Sequence, residues 1–175
     1  MIETAPFGSS SYLAMLGLLL FSRGMDFFST WVATPNLALE GNPIAKRLGW
    51  KWGALFNLAI CLIFAFWQLA AIIISTTGIL VAAHNFQSAW LMRTLGEYEY
   101  RELFASRIGR KSFLLFLVCL FGETLLTALV GSMIVYFSPE DSIVFAIGVG
   151  ILTFAVIVFF FTSLGMWRVR QQLRR

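Results

Sequence analysis

Apolar positions in this chain do not recur every three or four residues, as on one face of a water-exposed helix; they dominate whole spans with few polar residues between them. Predominantly apolar stretches occupy residues 12–33, 113–137 and 143–167, and a longer one covers 52–92, divided by the polar tetrapeptide Ser75, Thr76, Thr77 and Gly78. A helix rising about 1.5 Å per residue needs about 20 residues to cross about 30 Å of hydrocarbon. The long stretch therefore exceeds one crossing, and a turn at the polar tetrapeptide divides it. The pattern predicts an all-α polytopic transmembrane helix bundle with spans at 12–33, 52–74, 76–93, 113–137 and 143–167. Segments 35–50 and 94–111 lie at the interface, and residues 1–175 form a single membrane domain with no repeat and no soluble module.

Composition agrees, with 59% hydrophobic and 13% charged residues, where soluble domains carry about a quarter charged. The distribution of charge adds an orientation. Lys46, Arg47 and Lys51 follow the first span, Arg93 to Lys111 hold five basic residues after the third, and Arg168, Arg170, Arg174 and Arg175 follow the fifth. The connections at 75–78 and 138–142 carry no basic residue. Basic loops stay cytoplasmic, so five spans put the amino terminus outside and the carboxyl terminus in the cytoplasm. A four-span layout, with one crossing and a re-entrant segment in 52–92, would set basic loops on opposite sides. Residues 1–11 contain no Lys or Arg, so the first span reads as retained and not as a cleaved signal. The net charge of +4 is absorbed by this topology and by anionic lipid, and implies no nucleic-acid partner. Segment 94–111 is too charged to cross. It is expected along the cytoplasmic face, with Arg101, Arg107, Arg110 and Lys111 on lipid headgroups and Glu97 paired with Arg101 one turn away.

Candidate chemistry is confined to polar residues at membrane depth, where a charge costs roughly 3 kcal/mol unless it is paired or wet. Ser22, Asp26 and Thr30 share a face of the first span, with Arg23 placed to pair with Asp26. The third span carries His84, Gln87 and Ser88 on one face, and the fourth carries Glu123 and Thr127. Counting rise from the cytoplasmic ends puts His84 and Glu123 both about 15 Å deep, so the two are candidate partners, and Asp26 and Asn57 match one turn lower. Small residues at Ala128/Ser132 and Ala146/Gly150 suggest packing of the last two spans. Cys61 and Cys119 sit in apolar runs and receive no chemistry.

Between the first two spans, Pro35 and Pro43 suit first helical turns, Thr34 and Asn42 suit the caps before them, and Gly41 suits a left-handed stop. Two short interfacial helices are expected, with Glu40 a solvated charge. Asp26 followed by Thr30, then Glu40-Gly41-Asn42-Pro43, resembles the pattern of a family of small prokaryotic multi-pass membrane proteins of unknown function. The resemblance covers about residues 20 to 75. It implies that Asp26, Thr30, Glu40, Asn42 and Pro43 act together, and that the chain sits in a prokaryotic cytoplasmic (inner) membrane.

No H-E-x-x-H, G-x-S-x-G or phosphate-binding glycine loop is present, and nothing implies a cofactor. The least demanding function is an accessory or assembly protein of the membrane, acting as a homo-oligomer or beside another membrane protein. A small ion or lipid carrier using Asp26, His84 and Glu123 is the alternative. An intramembrane enzyme with a polar or metal site from Asp26, Glu40, His84 and Glu123 is a second.

Overall fold

The computed structural model describes residues 4–107 and 110–172, leaving aside the side chains of 104, 105, 107, 110–112 and 169–172. The fold is all-α, with helices α1 (Ser10–Ala33), α2 (Pro43–Phe64), α3 (Gln68–Leu95), α4 (Glu97–Arg107), α5 (Arg110–Phe137) and α6 (Ile143–Gln172). Among the described residues, four segments are long and apolar enough to cross a membrane: Ser10–Ala33, Gln68–Leu95, Phe113–Phe137 and Ile143–Arg168.

The break in the long apolar stretch falls at Ala65–Trp67, and α3 runs straight through the polar tetrapeptide. The reason is that these residues face neighbouring helices, although the buried Ser75 Oγ itself has no hydrogen-bond partner among the described residues. Ser75 and Thr77 are buried, and the Thr77 hydroxyl donates to the Ile73 carbonyl at 2.9 Å and to Gly150 of α6 at 3.0 Å. Gly78 faces Ser22 so closely that an added Cβ would lie 2.9 Å from its Oγ. The tetrapeptide is thus a helix–helix contact. At the actual turn, the Ala5 N–H donates to the Phe66 carbonyl at 2.9 Å, Thr4 pairs with Trp67, Phe7 stacks on Phe66 and Tyr12 packs against it at a tilt. An amino-terminal strap therefore supplies the partner that the turn sequence lacks.

Helix α1 packs chiefly on α3, α3 on α6, and α6 on α5, giving the order α1–α3–α6–α5. Close approach depends on glycine, as it does where helices meet in lipid. A Cβ on Gly150 would meet Thr76 Cβ at 2.7 Å, and one on Gly148 would meet the Gly131 carbonyl at 3.1 Å. Gly150 thus packs against α3, and Gly131 with Gly148 joins α5 to α6; Ser132 is exposed and takes no part. Two apolar clusters fill the interior, one around Tyr12, Leu19, Cys61 and Ala71 and another around Leu120, Phe154 and Val158.

Helix α2 lies antiparallel along α1. The Trp50 ring sits 5.6 Å from Phe27 at one end, and the Tyr12 hydroxyl donates to the Leu62 carbonyl at 3.3 Å near the other. Gly49, with φ 65°, breaks α2 so that 43–48 forms a short separate segment before the long one. Asn42 caps this segment, its side chain accepting from the Ile44 N–H at 2.9 Å, with Pro43 in the first turn.

The expected helix after Pro35 does not form. Thr34 ends α1, and residues 34–41 fold as a loop around Glu97 at the start of α4. The Glu97 carboxylate, only 6% exposed, accepts from Thr34 Oγ1 at 2.7 Å, Asn36 N–H at 2.7 Å, Asn36 Nδ2 at 3.1 Å and Ala38 N–H at 2.8 Å. A buried carboxylate that satisfies two backbone N–H groups removes the need for helical hydrogen bonds there. Glu97 consequently forms no ion pair with Arg101, contrary to the surface pairing expected from spacing. Gly41 has no left-handed φ either. Its lack of a side chain serves contact instead, since a Cβ there would stand 3.2 Å from the Phe161 carbonyl of α6.

Candidate functional site: a polar groove

The loop at 34–41, the first turn of α2, and α4 lie at one end of the α1–α3–α6–α5 arc, and beside them and α2 runs a groove of about 810 Å³. Helices α2 and α5 flank it without forming a packed pair among the described residues. Its walls are apolar at Phe56, Val81, Phe116, Leu120 and Val158, and its polar groups lie at three levels.

Against α1 and α2, the Arg23 guanidinium contacts Asp26 Oδ2 at 3.0 Å, and its Nε donates to Asn57 Oδ1 at 2.6 Å. The expected match of Asp26 with Asn57 is thus routed through Arg23, whose long side chain reaches both. This pairing also ties α2 to α1, because the Asn57 amide is itself held by the Gly53 carbonyl at 2.8 Å. Across the groove, His84 Nδ1 of α3 stands 3.4 Å from Glu123 Oε1 of α5, as depth along the two helices predicted. These side chains are 31% and 49% exposed, so they form an open, wettable pair and not a buried lock. Thr30 is approached by Asn85 Nδ2 at 3.4 Å, which also reaches Ser29 Oγ at 3.3 Å.

At the loop end stand Glu40, Lys46, Arg101 and Arg168. Glu40 is not the solvated surface charge that its position in a loop suggested. Its Oε1 accepts from the Asn42 N–H at 2.7 Å, and burial pushes its carboxyl above the ordinary carboxylate range. The Asn42 and Gly41 N–H groups and Lys46 oppose this shift, while the Asp26 carboxylate adds to it. Arg168 donates to the Gly41 carbonyl at 3.4 Å, which pins the loop onto α6.

All six residues singled out in the sequence (Asp26, Thr30, Glu40, Asn42, His84 and Glu123) line this one groove, joined by Arg101. Among the described residues no three His, Cys, Asp or Glu side chains gather in a metal-binding cluster. The side chains of Arg107, Arg110 and Lys111 lie outside the described residues. Sequence reading missed Arg168 and Lys46, which counted only as topology markers, and Glu97, whose partners are backbone and side-chain donors of a loop. It missed Cys119 too; an exposed thiol one turn from Glu123 faces the groove. A scan of protein-family models and searches of curated proteins and of solved structures find no match to this chain.

Proposed function

We propose that the protein is a five-pass membrane protein that holds an amphiphilic lipid in the groove between α2 and α5, acting as a small lipid carrier or binding protein. The observation behind this reading is the groove itself, about 810 Å³ with apolar walls and polar groups at its loop end and at mid-depth. Ligand sites have this size and this mixture of apolar lining with a few placed polar groups. An accessory role would leave Glu123 and His84, half-open to the groove, without a use. The α2–α5 gap gives a ligand a sideways entry from the bilayer.

In this reading α2 supplies the remaining crossing. It alternates with α1 and α3 in direction, and Lys46, Arg47 and Lys51 stay at its cytoplasmic start. Single cysteines at Thr4→Cys, Asn36→Cys and Phe66→Cys, in a chain with Cys61 and Cys119 replaced, test this with a membrane-impermeant thiol reagent. Five spans require Phe66 to be labelled from the same side as Thr4 and opposite to Asn36; labelling of Phe66 with Asn36 rejects them.

Lipid retention tests the groove. Native mass spectrometry of the purified protein should show bound phospholipid, reduced at least about fivefold by Cys119→Trp, which fills the groove. Val130→Trp, on the exposed outer face of α5, should leave it unchanged. Equal retention by both variants removes the lipid-binding reading.

A further inference from the structure

We propose that Lys46, Arg101 and Arg168 form an anion-binding subsite at the loop end of the groove that holds the phosphate of a negatively charged phospholipid. The proposal rests on the lipid-binding reading and specifies its ligand.

These three cations come from α2, α4 and α6, yet line one end of one groove; of the three carboxylates among its described lining residues, Asp26 is paired with Arg23 and Glu123 stands deeper beside His84, which leaves Glu40 at this end. Glu40 partly opposes the charge of Lys46, whereas neither guanidinium has a carboxylate partner among the described residues. Glu97, the carboxylate one turn before Arg101, spends its oxygens on four donors from residues 34–38. Arg101 makes no ion pair among the described residues. Arg168 commits one N–H to the Gly41 carbonyl at 3.4 Å, leaving the rest of its fork of five donors. Burial works against the charge of Glu40 itself. Guanidinium forks match phosphate oxygens in pairs, and two of them beside an ammonium suit a phosphate better than any neutral group.

The deeper groove fixes which way round the ligand lies. Arg23 is neutralised by Asp26, whereas Glu123 presents a half-exposed carboxylate about 15 Å below the loop end, counting rise along α5. An anionic head is therefore attracted at the mouth and repelled at depth. Phe56, Phe116 and Leu120 offer an apolar path for a chain from the mouth toward the α2–α5 gap. A free phosphate would leave that surface empty, so a phospholipid is the occupant.

The test is lipid competition on the full-length protein in mixed micelles of phosphatidylglycerol and phosphatidylcholine, read by native mass spectrometry. The wild type should retain phosphatidylglycerol at least about fivefold over its share of the mixture. Arg101→Gln with Arg168→Gln should bring retention to the mixing ratio while phosphatidylcholine stays bound, and Arg101→Lys with Arg168→Lys should keep most of the preference. If the glutamine pair does not fold, Lys46→Gln, at an exposed position, should lower the preference alone. Unchanged preference in the variants that fold overturns the subsite, as does displacement of the lipid by millimolar inorganic phosphate. Failure of the groove reading is distinct from either, because Cys119→Trp would then leave total lipid unaltered.

Discussion

Replacing Glu97 by alanine should be among the most damaging single changes in the chain, costing roughly 3 kcal/mol. The carboxylate is buried and is the shared acceptor for the Thr34 hydroxyl, the Asn36 N–H and side-chain amide, and the Ala38 N–H. Removing it strands these donors, and an unmatched buried polar group costs about 1–3 kcal/mol, more where the lost partner was charged. Thermal unfolding in detergent would read the loss, and limited proteolysis should show new cleavage within 34–41. Glu99→Ala, an exposed change in the same turn, should stay within about 0.5 kcal/mol. A loss of similar size at Glu99 would contradict the clamp.

The same carboxylate predicts a pH dependence of definite sign. Burial alone would raise the Glu97 carboxyl, but the hydrogen bonds from Asn36, Thr34 and Ala38 outweigh it and hold the group below its ordinary 4.5. A group whose folded value is depressed stabilises fully above its unfolded value and loses this contribution as pH falls through the lower, folded one. Stability should therefore be level in this respect above about pH 5 and decline below 4.5, with the decline flattened in Glu97→Ala.

Arg23→Leu should rival it. Asp26 would lose its only ion-pair partner among the described residues, and α2 would lose the 2.6 Å hydrogen bond to Asn57 that fastens it to α1. Breaking one side of a buried pair costs about 3–5 kcal/mol, and the partial opening of this pair to the groove points to the lower figure. The double replacement Arg23→Leu with Asp26→Leu should recover most of the loss, since no unpaired charge remains. Thermostability by size-exclusion chromatography after heating distinguishes the two; a double variant as weak as the single would show that uncompensated charge is not the cause.

These two residues also show what could be read from sequence. The Arg23–Asp26 pair follows from three-residue spacing on a helix, and the meeting of His84 with Glu123 follows from equal rise along α3 and α5, because both are consequences of one regular geometry. The carboxyl-terminal ends of α1 and α5 and the start of α6 were legible for the same reason, as each coincides with an end of an apolar run, whereas α5 begins three residues before its run and α6 continues five residues past it. The turn at Ala65–Trp67 was not, since it lies within apolar sequence and is completed by a strap some sixty residues earlier, at Thr4 and Ala5. Ser75 to Gly78 imitated a turn because small polar residues serve close helix packing as well as they serve chain reversal. The environment of Glu97 was hidden more completely. Its partners are mainly backbone and amide donors of a loop, and no residue pattern announces them.

The placement of α2 outside the α1–α3 contact bears on how the chain is made. Helices emerge in sequence order, yet α1 finds its principal partner only when α3 arrives, so the Arg23–Asp26 pair must enter lipid before its permanent surroundings exist. Pairing within a single helix makes this tolerable, because each charge brings its own counter-ion into the bilayer. Once α3 has locked onto α1, the α2 segment, hinged at Gly49 and tied at Asn57 and Tyr12, is left on the outside of the α1–α3 pair on that side of the groove.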